Sequence, residues 1–274
     1  MGGVVPSFVR LLELLKIDVK RLIPITSPIK FQNVILPDES FFLDDTGTPL
    51  ENHFFSADAY FTREYLQTIE QIRNFAAEKF KPLEQKKFFF FHGTNQIGEE
   101  RLAEYFKSKG YEIIKPEKFS LDEQLNILAN CESFASTVGS CSHNLIFLRD
   151  GAEVILIPRW IKNKLNAYQQ ALNQLHELKI FYVDSGLPIY SPEHTGPYCY
   201  IISEQLKKFF GDDAAETYTE ADFLTFLNYV KYALEHNLPL SETASKYCSN
   251  VMLEFMSQLR RREDLMARVG VKLS

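Results

Sequence analysis

The chain has 274 residues, room for one large domain or two ordinary ones, and its 45% hydrophobic and 24% charged residues are those of a globular protein that folds in water. Thirty Lys and Arg against 36 Asp and Glu leave a formal charge of −6, which argues against nucleic acid as the main partner. Cys131, Cys141, Cys199 and Cys248 are too scattered for zinc and too few for a disulfide framework, so reduced thiols in a cytoplasm are expected, and no run approaches the roughly 20 apolar residues of a membrane span.

The first 85 residues read as mixed and irregular. Phe8, Leu11, Leu12 and Leu15 recur at helical spacing behind Ser7 and predict a helix over 7–16. Arg10, Glu13 and Lys16 interrupt what a signal peptide would need as an apolar stretch. β-type runs over 21–26 and 30–36 are broken by Pro24, Pro28 and Pro37, and Asp44 to Pro49 is a turn cluster. Residues 56–80 predict a long helix capped by Ser56, with Tyr60, Phe61, Tyr65, Ile69, Ile72 and Phe75 as its apolar stripe.

From Lys87 strand and helix alternate. Strands are predicted over 88–91, 111–114, 133–137, 153–157 and 180–183, and helices over 98–108, 120–130, 143–149 and 163–177. Gly110 stands where a helix C-cap belongs, and Ser120 caps a helix whose first turn carries Asp122 and Glu123. Strands joined in turn by helices demand a parallel sheet with right-handed crossovers, hence an α/β, Rossmann-like domain. This divides the chain into an N-terminal region over 1–85, the sheet domain with its trailing loop over 86–198, and C-terminal helices over 199–274. The last part predicts helices over 199–210 and 220–235, and one from a Ser241 cap to Ala267 that carries Arg260-Arg261-Arg262.

Ligands of an open parallel sheet bind outside the carboxyl ends of its strands, which singles out the turns at His92 to Gln96, Lys115 to Phe119 and Val138 to Asn144. In the third turn small residues let a ligand approach the backbone, and a following helix would offer free N–H groups to a diphosphate. Ser140, Ser142, His143 and Asn144 would add side-chain donors there. Spacing alone reads that turn equally well as a tight, serine-capped connection. His92 and Gly93 follow the first strand at its ligand end, while Glu123 and Gln124 either cap their helix or reach a sugar hydroxyl. Cys141 reads as a small buried residue. The acid pairs Asp44-Asp45 and Asp212-Asp213 sit in turn contexts where Asp is common, so no metal site is read from them. Neither G-x-G-x-x-G, nor G-x-x-x-x-G-K-[ST], nor G-x-S-x-G is present.

The stretch from Gly98 to Arg159 resembles the core of family-61 glycosyltransferases of the bacterial capsular-polysaccharide type. The features are a helix ending in Gly110-Tyr111-Glu112, then Pro116-Glu117, then Ser120 followed by Glu123-Gln124, a small-residue turn with Asn144, and an apolar strand over 154–157. The resemblance implies a GT-B-like architecture, with a Rossmann-like donor domain facing a smaller or incomplete N-terminal α/β domain and C-terminal helices beyond. It implies inverting, metal-independent transfer from a nucleotide-sugar co-substrate, with no other cofactor, to a glycan or lipid-linked oligosaccharide. Carried over by position, Gly139, Ser140, Cys141, Ser142, His143 and Asn144 would hold the donor diphosphate. Glu123 and Gln124 would line the cleft, and His92, Gly93, Thr94 and Asn95 would face the donor.

The chain departs from the family's usual H-G-A-G-L-x-N turn, since Val138 stands at the histidine, and His143 is expected to supply the missing donor. The arginine common after the first strand is replaced by His92-Gly93, and a longer N-terminal region would be expected. An inverting transfer needs a general base; His92 ranks first by position, with His53 and Asp58 as the other candidates. Arg260 to Arg262 read as a solvated helix face, with a peripheral contact to anionic lipid head groups as the alternative. The rival expectation is a non-catalytic scaffold of a polysaccharide-synthesis complex.

Overall fold

The computed structural model describes residues 6–23, 25, 27–34, 41–43, 59–80, 84, 86–93, 96–159, 167–187, 197–212, 218–238 and 250–271. At its centre is a parallel sheet of five strands: β3 (Lys86–Phe90), β5 (Tyr111–Ile114), β6 (Cys131–Thr137), β7 (Glu153–Ile157) and β8 (Lys179–Tyr182). Their spatial order is β5-β3-β6-β7-β8, with every neighbouring pair parallel. The chain therefore steps from β3 to β5 on one side, then returns across β3 to β6 on the other. That reversal is a topological switch point between β3 and β6.

The strands are apolar because both faces are covered. Phe88, Phe90, Phe134, Val154 and Leu156 point into one layer, and Phe89, Phe91, Ala135, Ile155 and Ile157 into the other, as the two-residue period of a strand requires. The first layer is closed by α4 (Leu121–Ala129), α5 (Ala167–Asn173) and the 3₁₀ turn Ser142–Phe147, through Leu128, Leu145 and Leu172. The second is closed by α3 (Glu99–Ser108) and α6 (Glu204–Phe209), through Leu102, Phe106 and Leu206. Each wholly buried Phe contributes about 1.5–3 kcal/mol of transfer free energy.

Three further helices, α7 (Glu220–Glu235), α8 (Asn250–Leu259) and α9 (Glu263–Val269), share a separate cluster around Phe226, Phe255 and Leu265. Asp222 fastens α7 to the sheet domain: wholly buried, it pairs with Arg101 of α3 at 2.9 Å and accepts a hydrogen bond from Ile202 N. On the other side α1 (Pro6–Leu14) and α2 (Arg63–Lys79) pack Leu14, Ile72 and Ala76 against Leu125 of α4. Among the described residues no helix is long and apolar enough to cross a membrane.

Several boundaries differ from the expected ones. The helix expected over 56–80 begins only at Arg63, because the Thr62 hydroxyl accepts from Tyr65 N. Ala59–Phe61 is instead strand β2, antiparallel to β1 (Phe41–Leu43). The runs 21–26 and 30–36 form no strand among their described residues. Gln96–Ile97 (β4) and Tyr198–Cys199 (β9) form an unforeseen parallel pair. The helix expected from Cys199 begins after the Ser203 cap, at Glu204. The helix expected over 143–149 is the 3₁₀ turn already named. The long final helix is broken at Arg260 to Arg262 into α8 and α9, while its expected Ser241 cap lies outside the described residues.

Candidate active site

The switch point sets the carboxyl ends of β3 and β6 side by side. His92 and Gly93 leave β3 there, and Val138 and Gly139 leave β6. Glu99, in the first turn of α3 and wholly buried, joins the two. Its carboxylate accepts from His92 N at 3.2 Å, Gly93 N at 2.8 Å and Thr137 Oγ1 at 2.9 Å. Burial pushes its pKa up, and the three donors together with the nearby His92 oppose that rise.

Gly98 explains why α3 starts at this point. Its φ is +86°, and a Cβ there would fall 2.2 Å from the Tyr200 carbonyl oxygen, so only glycine lets β4 enter beside β9 and turn into the helix.

The turn after β6 is built differently from the expected diphosphate seat. It leads into a 3₁₀ turn, so this turn itself presents no α-helix N-terminus. Positive charge comes instead from Arg159, two residues past the end of β7. Gly139 has φ +154°, and a Cβ on it would lie 2.5 Å from the Arg159 guanidinium carbon. The same guanidinium lies 5.1 Å over the Tyr198 ring. It opposes the upward push of burial on the Tyr198 and Tyr200 phenols. Yet Arg159 Nε and Nη2 are buried without a hydrogen bond of acceptable geometry, and so are Tyr200 Oη and Gln96 Oε1. Buried donors without acceptors are destabilising, all the more on a cation. An anion entering the crevice would offer an acceptor to the Arg159 nitrogens and the Tyr200 hydroxyl.

The predicted site residues fall into three groups. His92, Gly93, Gly139, Ser140 and His143 stand at or beside the crevice. His143 is half-buried, and burial together with Arg159 holds its pKa below the usual range, favouring the neutral ring. Cys141, Ser142, Asn144, Glu123 and Gln124 hold the frame. Ser142 Oγ accepts from Gly139 N at 3.0 Å and reaches Gln169; Asn144 Nδ2 donates to Cys141 O at 3.0 Å. The Cys141 thiol is pushed up to about 12 by burial and is no thiolate. Glu123 takes up the capping role, accepting from Ser120 N at 2.7 Å, and Gln124 Nε2 braces the loop after β5 through Pro116 O and Phe119 O. His53, Asp58, Thr94 and Asn95 lie outside the described residues.

Sequence reasoning missed Glu99 and Arg159. An acid in a first helical turn is ordinary, so nothing singles out Glu99 before β3 and β6 are known to be neighbours. Arg159 did carry a signal, since it stands two residues past a buried strand at the end where ligands bind. Among the described residues no group of three or more His, Cys, Asp or Glu is placed to hold a metal ion. A groove of about 400 Å³ lined by Lys86, Lys87, Lys109 and Glu112, among others, lies at the opposite, amino end of the strands, away from this chemistry.

No curated protein matches the chain. The sequence model of the family described as Glycosyltransferase 61 matches residues 7–155, more than half of the chain, from α1 into β7. That span takes in His92, Glu99, Thr137 and the whole turn after β6, and stops just short of Arg159. The chain thus belongs to glycosyltransferase family 61, and is an enzyme of the nucleotide-sugar-dependent kind.

Proposed function

We propose that the enzyme moves a sugar from a nucleotide-sugar seated in the β3–β6 crevice to a hydroxyl of a growing surface or capsular polysaccharide, carried on a lipid. The observation that supports this most is the half-buried Arg159 guanidinium, whose Nε and Nη2 lie out of water without a hydrogen bond of acceptable geometry, beside a glycine at the switch point. A diphosphate offers oxygens that match its planar fork. The bare Cα of Gly139 allows close approach, and Ser140 and His143 add neutral donors. In this reading residues 1–85 form the acceptor side of a GT-B-type cleft, 86–198 the donor side, and 199–274 the supporting helices.

The transfer is read as inverting. The acceptor oxygen attacks the anomeric carbon from the face opposite the diphosphate, and the bond from that carbon to the phosphate oxygen breaks. The acceptor's proton passes to an imidazole nitrogen of His92, and the Glu99 carboxylate stabilises the cation formed. Charge developing on the departing diphosphate falls on Arg159, so the scheme calls for no metal. His53 and Asp58 are the other candidate bases.

Thermal unfolding with UDP, GDP, CMP and their sugar conjugates, without added metal, tests the donor site. A nucleotide at 100 times its dissociation constant stabilises by about 2.7 kcal/mol, a shift of several degrees. The expected result is a shift with one nucleotide family that Arg159→Gln abolishes, while His92→Ala keeps the shift and loses transfer. No shift with any nucleotide would refute the placement of the donor in this crevice.

A further inference from the structure

Beyond the short 3₁₀ turn Val19–Arg21, the described residues between 15 and 34 form no helix or strand. Yet Leu22, Ile23, Ile25, Ile29, Phe31 and Val34 are all at least 41% exposed, and Ile23 reaches 77%. Among the other described residues, single exposed apolar side chains such as Phe181 and Leu253 are ordinary for a protein surface. Lys16, Lys20, Arg21 and Lys30 are interleaved with the apolar residues. Asp18 is the single acid between 16 and 34, and it is engaged in capping Lys20 N at 3.0 Å. The segment thus carries a net +3 in a chain whose total is −6.

We infer that residues 16–34 dock shallowly on an anionic lipid bilayer. Three features of the segment favour that partner over a protein. The apolar side chains lie along an irregular backbone that offers no strand edge and no helical stripe for a shaped groove to read. The lysines and arginine sit among them, where the head groups would be when the aliphatic chains enter the acyl boundary. A backbone without a hydrogen-bonded ladder has to stay hydrated, which limits insertion to that boundary. The C-terminal arginine cluster, the alternative basic surface, suits it less, because Arg262 is held by Asp264 at 3.0 Å and faces Glu220 at 3.7 Å. The inference stands independently of the donor site, although a lipid-carried acceptor would be met on the same surface.

The test is co-sedimentation of the full chain with vesicles of phosphatidylcholine alone or mixed with phosphatidylglycerol. Each basic side chain near an anionic leaflet adds roughly fivefold to partitioning, so Lys20→Glu with Arg21→Glu is expected to weaken binding by roughly twenty-fivefold or more. Ile23→Ser with Ile25→Ser should weaken it comparably, while Arg260→Glu with Arg261→Glu leaves it unchanged. The substituted side chains are exposed, and an unaltered melting temperature confirms that the variants fold. Absence of vesicle binding, or equal binding by the N-terminal variants, overturns the inference. So does self-association in sedimentation equilibrium that Ile23→Ser with Ile25→Ser abolishes while vesicles are ignored, which would assign the surface to a second copy of the chain. Failure of the donor reading shows separately, in the nucleotide-induced shift.

Discussion

Thr137 Oγ1 donates to the Glu99 carboxylate at 2.9 Å, both residues being buried, and this bond ties the last residue of β6 to the first turn of α3. Because Glu99 also accepts from the two amides that follow β3, one side chain sets the width of the crevice. Glu99→Ala would leave three donors without an acceptor, at an expected loss of about 2–4 kcal/mol. In a chain of this size that lowers the melting temperature by roughly 5–15 °C. Glu99→Gln, which keeps one acceptor oxygen and the shape, should fall between the two. Circular dichroism melts of the three proteins check the order.

His176 gives the fold an acid-side weakness. Both of its ring nitrogens are buried without a hydrogen-bond partner. Burial first, and then the positive charge of Arg73, hold its pKa down to about 4, against a smaller upward pull from Asp150. The unfolded chain, with an ordinary imidazole, binds the proton more readily. Stability is therefore complete above the ordinary histidine pKa and is lost as pH falls toward 4. The loss is on the order of 1–2 kcal/mol once solvent access to a half-buried ring is allowed for. Melting temperatures between pH 7 and pH 4 should fall less steeply for His176→Gln than for the parent. Glu99 works in the opposite sense: its raised pKa means the folded state holds the proton longer, so its contribution declines as pH rises through the folded value.

Arg159→Met separates function from stability. Replacing a half-buried guanidinium, two of whose nitrogens lie out of water without a well-formed hydrogen bond, by an apolar side chain of similar reach should leave the ligand-free protein as stable as the parent, or more stable by about 1 kcal/mol. The melting temperature then stays level or rises by roughly 2–4 °C, while the nucleotide-induced shift disappears. A large loss of ligand-free stability would mean that Arg159 is a structural residue.

Gly98→Ala tests the junction between β4 and β9. A methyl group there would meet the Tyr200 carbonyl at 2.2 Å, with φ at +86°. Strain of this kind destabilises by about 1–3 kcal/mol. Gly110→Ala also forces a positive φ, but nothing lies within 4 Å of the added carbon, so it should cost less. Comparing the two melts isolates the steric part.

Much of the fold was legible in residue order. The aromatic run at Phe88 to Phe91, the V-I-L-I strand, the Ser120 cap and Gly110 announce strands and helices in alternation, and alternation demands a parallel sheet. Those signals are local and act through backbone preference and burial, so they survive without knowledge of neighbours. Where a partner strand was needed, local reading failed: Ala59–Phe61 carries a helical stripe but pairs with β1, and Gln96–Ile97 pairs with a strand a hundred residues later.

The site divides in the same way. Residue types and strand ends marked His92, Gly93, Gly139 and His143 as a group, because ligands gather where parallel strands end. Order along the chain said nothing of which strand ends are adjacent. Only the β5-β3-β6-β7-β8 arrangement turns Glu99 from a helix-start acid into the joint between two strands. Only packing takes Nε and Nη2 of Arg159 out of water beside Gly139 without a well-formed hydrogen bond. Burial and hydrogen-bond satisfaction are properties of assembled neighbours, so they become visible when the sheet is closed and not before.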